Sequence, residues 1–154
     1  MNIKSIEEKN FCICDYSKWK RIKEKVAQKF NDALIVEIEG SNCKDKQRLM
    51  IEMDAKLNFP SYFSHNWDSL DECLNDLEWI DYGSLIIVLK DEESLLSNET
   101  YNLEYFYEII LDSLNEWNKG INSDMKKIIS RVFYVFSTTE NVNLLKEKLK
   151  KYIE

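Results

Sequence analysis

Proline and glycine are scarce in this sequence: its 154 residues include one proline and three glycines. Long flexible linkers between domains are therefore not expected. A chain of this length usually forms one domain and can bury roughly two-thirds of the surface that its unfolded form exposes. We expect residues 1–154 to form a single domain with a core that needs no covalent cross-link.

Histidine occurs once, and the four cysteines do not have the spacing of a zinc site. Cys12 and Cys14 are the only close pair, whereas Cys43 and Cys73 stand apart. A disulfide scaffold would be shorter and would carry a secretion signal. We therefore expect four reduced thiols in or near the core, with no metal site and no cofactor.

The sequence also lacks an apolar run long enough to span a bilayer. It does not begin with a basic leader followed by an apolar segment. These two features predict a cytoplasmic protein that does not contact a membrane.

Basic residues are nearly absent from the middle of the chain. Between Pro60 and Asn118 there are fourteen acidic residues and one base, Lys90, so this segment carries −13. Because the whole chain carries −7, the remainder carries +6. An acidic field of this kind repels nucleic acid and accelerates the encounter with a basic partner. A solvated acidic surface is the simpler interpretation, and charge alone does not separate the two.

Runs of branched apolar residues predict three strands, at 33–40, 84–89 and 131–138. Amphipathic spacing predicts helices at 17–30, 45–58, 67–79, 102–119 and 140–153. Ser17 fits the N-cap of the first helix, and Ile51 fits the inward face of the second. Phe11 to Cys14 alternates weakly and is either a short strand or an extended arm.

Strands that are separated by helical segments need crossover connections, which indicate a parallel sheet. The predicted fold class is α/β, with a small three-stranded parallel sheet and helices packed around it. Residues 33–138 would form its core. Residues 1–32, with the 17–30 helix, would be an N-terminal extension, and residues 139–154 would add a C-terminal helix.

The segment 59–74 combines an aromatic loop with an acidic helix. Pro60 and Ser61 indicate a turn, and Asn66 fits the N-cap of the following helix. One helix face is apolar and the other is acidic. The apolar face contains Trp67, Leu70, Leu74 and Leu77, and the acidic face contains Asp68, Glu72, Asn75 and Asp76, with Tyr62 and Asp71 near its entry. Acidic and aromatic groups displayed together favour binding of a basic partner.

The pattern Phe-Pro-x-Tyr-Phe-x-x-Asn-Trp-Asp-x-Leu-x-x-Cys-Leu at 59–74 resembles the barstar family, small intracellular inhibitors of a secreted microbial ribonuclease. The flanking predicted elements extend this resemblance over about residues 33–138. It implies a three-stranded parallel sheet surrounded by helices. It also implies that the helix after the tyrosine-containing loop, together with that loop, plugs the active site of a nuclease.

The resemblance assigns roles to particular residues of the motif. Asp68 and Glu72 would take the place of substrate phosphate, and Tyr62 would supply the aromatic contact of the loop. Asp71 and Asp76 would face further cationic groups of the nuclease. His65 would lie at the edge of this surface or would be a residue near the helix cap with no role in binding. The implied partner is a basic ribonuclease or nuclease toxin, and the chain itself would be a non-catalytic monomer when free.

Three positions depart from the family pattern. Ser64 stands where many members have glycine, Asp71 replaces an aromatic residue of the best-known member, and Glu72 replaces the usual aspartate. Together they predict a target other than the familiar one.

Two other functions remain open. The chain could be a non-inhibitory interaction module on the same fold. It could also be a small hydrolase that uses His65 and Asp68, although no Ser or Cys nucleophile pattern accompanies the histidine. A glycosidase pair formed by Asp68 and Glu72 is disfavoured, because both would project from one helix.

Overall fold

Four strands and five α-helices make up the fold in residues 10–30 and 32–153, which the structure, a computed structural model, describes. Predictions for residues 1–9, Asn31 and Glu154 lie outside the described residues. The strands are β1 (Phe11–Asp15), β2 (Ala33–Glu39), β3 (Ser84–Lys90) and β4 (Arg131–Thr138). The helices are α1 (Tyr16–Lys29), α2 (Lys46–Leu57), α3 (Trp67–Asp76), α4 (Leu103–Asn118) and α5 (Val142–Ile153).

The strands form one parallel sheet in the order β1-β4-β3-β2. The α/β class and the parallel sheet are as predicted, but the prediction of three strands was wrong because β1 is a fourth. It lies along β4, with Phe11 opposite Tyr134 and Asp15 opposite Thr138. Five weakly alternating residues carry little local signal, and the strand that pairs with them is far along the chain.

Helices cover both faces of the sheet. On one face, α1 buries Trp19 and Val26 against alternate residues of the strands, and the ring of Phe30, which follows α1, stacks on the Phe133 ring with centroids 3.9 Å apart. The other four helices pack on the opposite face. Because β3 is central, Ile86 faces α1 while its neighbours face the other layer, as the continuous apolar run predicts.

Short polar side chains begin the helices. Asp15, and not Ser17, caps α1 by accepting a hydrogen bond from the Lys18 amide at 2.8 Å. Asn66 caps α3 as predicted, accepting from the Ser69 amide at 2.8 Å. Such caps satisfy amides that lack a partner within their own helix.

The prediction for the inward face of α2 was wrong at one position. Ile51 is 53% exposed, and Met50 is buried in its place, together with Leu49, Met53 and Leu57. The buried residues 49, 50, 53 and 57 lie on one helix face, which includes two adjacent positions. The prediction instead chose the alternate apolar positions 49, 51 and 53.

Helix α3 ends at Asp76, three residues before the predicted end. Leu77 adopts a left-handed conformation with φ of 52°, and its amide donates to the Cys73 carbonyl at 3.2 Å. A left-handed leucine is uncommon, but the Leu77 side chain is fully buried. Packing of this side chain therefore stabilises a turn that local preference would not select.

All four cysteines are free and buried, which confirms the prediction of reduced thiols in the core. Burial raises the pKa of Cys73, and it raises the pKa of Cys43 to about 12. Both thiols are therefore protonated at neutral pH, which disfavours nucleophilic or ligand chemistry.

In the described part of the chain, no group of three or more His, Cys, Asp or Glu side chains is arranged to hold a metal ion. Among the same residues, no helix combines the length and the apolar character that crossing a membrane requires.

Candidate functional site

The loop between α2 and α3 is anchored by aromatic packing. Asn58 ends α2 in a left-handed conformation, and the Phe63 amide closes the next turn by donating to the Pro60 carbonyl at 3.0 Å. Phe63 is buried and its ring lies 4.6 Å from the Phe59 ring. Since Phe63 points into the core, Tyr62 is left at the surface, where 38% of it is exposed.

Hydrogen bonds join this loop to the first turn of α3. The Ser64 amide donates to the buried Ser69 hydroxyl at 2.8 Å, and the Ser64 hydroxyl donates to the Tyr62 carbonyl at 3.2 Å. His65, and not Ser64, adopts a left-handed conformation here, with φ of 57°, so Ser64 does not need the backbone freedom of glycine. The departure from the family pattern at Ser64 is thus compatible with an ordered loop.

Tyr62 is held by a carboxylate of α3. Its hydroxyl donates to Asp76 Oδ2 at 2.6 Å, and burial together with this hydrogen bond raises the pKa of Tyr62. The other Asp76 oxygen lies 3.6 Å from Lys127 Nζ. Asp76 therefore has two partners within its own chain, and its hydrogen bond from Tyr62 orients the tyrosine side chain.

Asp68 and Glu72 lie one turn apart on the solvent face of α3, and both are exposed. Neither has an ion-pair partner within residues 10–30 and 32–153. Asp68 is in the first turn, where the helix dipole stabilises a negative charge by about 0.3–1 kcal/mol. The two carboxylates are thus available to an external cation.

Asp71 lies where α3 meets α4. Its side chain accepts a hydrogen bond from Asn75 Nδ2 at 3.0 Å. Burial, and then the nearby charges of Glu116 and Asp112, raise the pKa of Asp71 above its ordinary value. The two α4 carboxylates therefore belong to the same acidic surface as Asp71.

The acids of α4 recur at every fourth position, and the helix contains no base. They are Glu104, Glu108, Asp112 and Glu116. Like charges at this spacing destabilise a helix by about 0.2–0.5 kcal/mol per pair. Sequence reasoning counted these acids but did not place them in the site. Their spacing of four residues along a predicted helix is the signal that could have found them.

Side chains of α4 fix the two acidic helices side by side. The Leu74 carbonyl, near the end of α3, accepts from Ser113 Oγ at 3.1 Å and from Trp117 Nε1 at 2.9 Å. At the other end, the Trp67 ring stacks on Tyr105 with centroids 6.3 Å apart. Contacts at both ends make the acidic surface a rigid, two-helix unit.

His65 is exposed at the edge of this surface. Its ring packs at 4.7 Å from the Phe63 ring, and its Nε2 lies 3.7 Å from Asp54 Oδ2. Within the described residues, no hydrogen bond joins His65 to a hydroxyl or a thiol that it could activate. The arrangement gives no support to a hydrolase built on His65 and Asp68.

Comparison with solved structures gives distant similarities in fold. The ORC2 protein of Aeropyrum pernix in its ADPNP-ADP complexes matches at 12% identity, over 93% of this chain and 38% of that chain, with a TM-score of 0.46. The ADP form of the same protein matches at 10% identity, over 97% of this chain and 42% of that chain, with a TM-score of 0.50. A structure of Drosophila ORC bound to AT-rich DNA and Cdc6 matches at 13% identity (97% of this chain, 48% of that chain, TM-score 0.46). The chain therefore spans less than half the length of these proteins, and the similarity concerns fold alone.

No curated protein matches this chain. Comparison with protein families is more specific than comparison with solved structures. A family model described as Barstar (barnase inhibitor) matches residues 33–134. The match extends from the start of β2 into β4, so it includes the aromatic loop, α3 and α4. Since it covers about two-thirds of the sequence, this chain belongs to the barstar family.

Proposed function

We propose that the protein is an intracellular inhibitor or immunity protein that binds a basic ribonuclease or a related nuclease toxin. Helix α3 and the loop before it would block the active site of that nuclease, and the chain would have no catalysis of its own. The observation that carries this proposal is a pair of carboxylates, Asp68 and Glu72, with no ion-pair partner in the described residues and on the same loop–helix segment as an oriented Tyr62, in a member of the barstar family.

The mechanism combines steric occlusion with charge mimicry. A nuclease holds substrate phosphate with Arg, Lys or His groups, and two carboxylates one helical turn apart can occupy the same place. Because Asp68 and Glu72 lack intramolecular ion pairs in the described residues, binding would break no salt bridge of theirs. Their desolvation would be offset by charge-assisted hydrogen bonds to the partner.

Preorganisation of the loop supports the role of Tyr62. The bond to Asp76 and the Ser64–Ser69 bond hold the tyrosine before the partner arrives. A contact that is already ordered loses less side-chain entropy on binding. In this proposal Asp76 acts through Tyr62, and His65 lies at the rim of the contact.

Crowded acids would accelerate association. Burial raises the pKa of Asp71 most, and repulsion from Glu116 and Asp112 raises it further. A cationic partner would relieve that repulsion, and the acidic field would steer it over distances of about one Debye length, roughly 8–10 Å. Association should therefore slow as the salt concentration rises.

A non-inhibitory interaction module is the second candidate. It is supported by Asp71 and Glu72, which depart from the family pattern on the proposed binding surface. Such a module would keep the fold but bind a partner that is not a nuclease. It would leave RNA cleavage by every basic ribonuclease unchanged.

An RNA-cleavage assay tests the proposal. A panel of purified basic microbial ribonucleases, barnase included, is titrated with the full chain. We expect stoichiometric inhibition of at least one enzyme and loss of that inhibition in the Asp68→Ala/Glu72→Ala variant. The matched control is Glu24→Ala/Glu147→Ala, which removes two exposed acids from α1 and α5. If the chain inhibits none of the enzymes in the panel, the proposed function is wrong.

A further inference from the structure

Two large aromatic side chains are exposed around the start of α4, one in the turn before the helix and one in its first turn. Tyr101 is 70% exposed and Tyr105 is 55% exposed. With Glu104 and Glu108, which are exposed on the same two turns, they form a surface that we call the tyrosine ledge. Exposed rings that lie together, unlike scattered ones, commonly mark an interaction surface.

The ledge is ordered by contacts on its inner side. The Tyr105 ring stacks on Trp67 at an interplanar angle of 24°. The Tyr101 hydroxyl donates to Glu99 Oε2 at 3.3 Å, and Glu99 Oε1 accepts from the Lys46 amide at 2.6 Å. Rigid tyrosines provide contact area at a low entropy cost, so the ledge suits binding without rearrangement.

The ledge is continuous with the proposed inhibitory surface. Trp67, on which Tyr105 stacks, directly precedes Asp68 at the start of α3. Farther along, α3 and α4 stay side by side through the bonds to the Leu74 carbonyl. A partner seated on Asp68 would therefore lie next to the ledge.

The charge of the ledge selects the chemistry of its partner. Glu104 and Glu108 have no ion-pair partner within the described residues, and α4 contains no base. Carboxylates beside an exposed ring match a guanidinium group, which is planar, stacks on aromatic faces and pairs with a carboxylate in a bidentate manner. An ammonium group offers a point charge and no planar face.

We propose that the tyrosine ledge is a second contact region for the same basic partner and that it receives an arginine side chain. The guanidinium would stack on Tyr105, beside Tyr101, and pair with Glu104 or Glu108. The identity of the partner as a nuclease rests on the proposed function, whereas the preference for arginine rests on the ledge itself.

A peptide titration tests the ledge without the nuclease. The full ¹⁵N-labelled chain is titrated with two peptides of equal length and charge, one with arginines and one with lysines spaced by glycine and serine. We expect amide shifts over 101–108 and at least fivefold tighter binding of the arginine peptide. Tyr101→Ala/Tyr105→Ala should reduce the affinity for that peptide to the level of the lysine peptide, and Tyr105→Phe, which keeps the ring, should not.

Three results would overturn the inference: equal affinity for both peptides, shifts confined to residues 62–76, or no binding. Sedimentation provides a fourth such result. If this chain forms a dimer and Tyr101→Ala/Tyr105→Ala dissociates it, a second copy of the chain occupies the ledge. The proposed function fails separately, through the RNA-cleavage assay. If the ledge residues leave inhibition unchanged while Asp68→Ala/Glu72→Ala abolishes it, the inhibitor role stands and the ledge does not contribute.

Discussion

Among the described residues, two triads of tyrosine, carboxylate and lysine share their chemistry and differ in the burial of the carboxylate. In the surface triad, Tyr62 donates to Asp76, which lies near Lys127. In the core triad, Tyr107 donates to Glu92, which pairs with Lys148 at 2.7 Å. The Asp76 side chain is 32% exposed and that of Glu92 is 3% exposed.

Burial decides what each triad contributes. An exposed ion pair adds about 0–1 kcal/mol to stability, whereas a buried carboxylate that loses its cation costs several kcal/mol. The core triad joins α5, which lies outside the family match, to the turn that follows β3. Loss of its lysine should therefore destabilise the fold. The surface triad contributes less to the fold and, in the proposed function, orients Tyr62 for the partner. In the proposed function, Asp68 and Glu72, which have no tyrosine or lysine partner among the described residues, represent the other limit, in which a carboxylate serves binding alone.

The largest effect is expected where carboxylates are unpartnered. Asp68→Ala/Glu72→Ala should weaken binding to the inhibited nuclease by about 4 kcal/mol, roughly a thousandfold, because hot-spot residues contribute about 2 kcal/mol or more each. The free energy of unfolding should change by less than about 0.5 kcal/mol. Calorimetric titration and urea unfolding measure the two quantities. An equal loss of affinity in Glu24→Ala/Glu147→Ala would mean that net charge alone drives binding.

The next largest effect should occur in the core triad. Lys148→Met leaves Glu92 buried without its cation and should lower the free energy of unfolding by about 3 kcal/mol, the low end of the range for a broken buried pair, since Lys148 is partly exposed. Lys127→Met, the corresponding change in the surface triad, should cost less, about 1–2 kcal/mol, because Asp76 stays partly hydrated while the Lys127 bond to the Asn122 carbonyl is also lost. Urea unfolding of both variants checks the difference. Similar losses would show that burial does not distinguish the triads.

Local sequence was sufficient to predict most of the elements and the acidic loop–helix segment. Branched runs encode β2, β3 and β4, and the 59–74 motif places Tyr62, Asp68 and Glu72 in one segment. Both signals depend on neighbouring residues, so they can be found without tertiary structure.

Features that depend on distant packing could not be predicted in this way. Strand β1 is specified by its pairing with β4, and the left-handed Leu77 by burial of its side chain. The link between Asp71 and the α4 acids requires the packing of two helices, and the Glu92–Lys148 pair joins residues 56 positions apart. These contacts have no local periodicity from which to infer them.

A smaller effect is expected from the carboxylate of the surface triad. Asp76→Ala should weaken nuclease binding by about 1 kcal/mol, roughly fivefold, because Tyr62 loses the acceptor that orients it. If Asp76 acts through Tyr62, the double variant with Tyr62→Phe should bind no more weakly than Tyr62→Phe alone. Additive losses in this double-mutant cycle would instead indicate that Asp76 contacts the partner directly.

The smallest effect concerns alkaline pH, where the two tyrosines should respond differently. Burial and the Glu92 charge raise the pKa of Tyr107 well above 10, and burial and the Asp76 bond raise that of Tyr62. Both folded tyrosines thus keep protons that the unfolded chain releases from about pH 10, so the free energy of unfolding should fall as pH rises past 10.

Replacing one tyrosine at a time separates their contributions, since the other groups with raised pKa values stay in place. Tyr107→Phe should flatten the alkaline decline more than Tyr62→Phe, because Tyr107 is fully buried and Tyr62 is partly hydrated. Urea unfolding at pH 8, 10 and 11 measures both slopes. Equal flattening would mean that Tyr62, like Tyr107, keeps its proton in the folded state up to pH 11, and the distinction between the two triads would then rest on Lys148 alone.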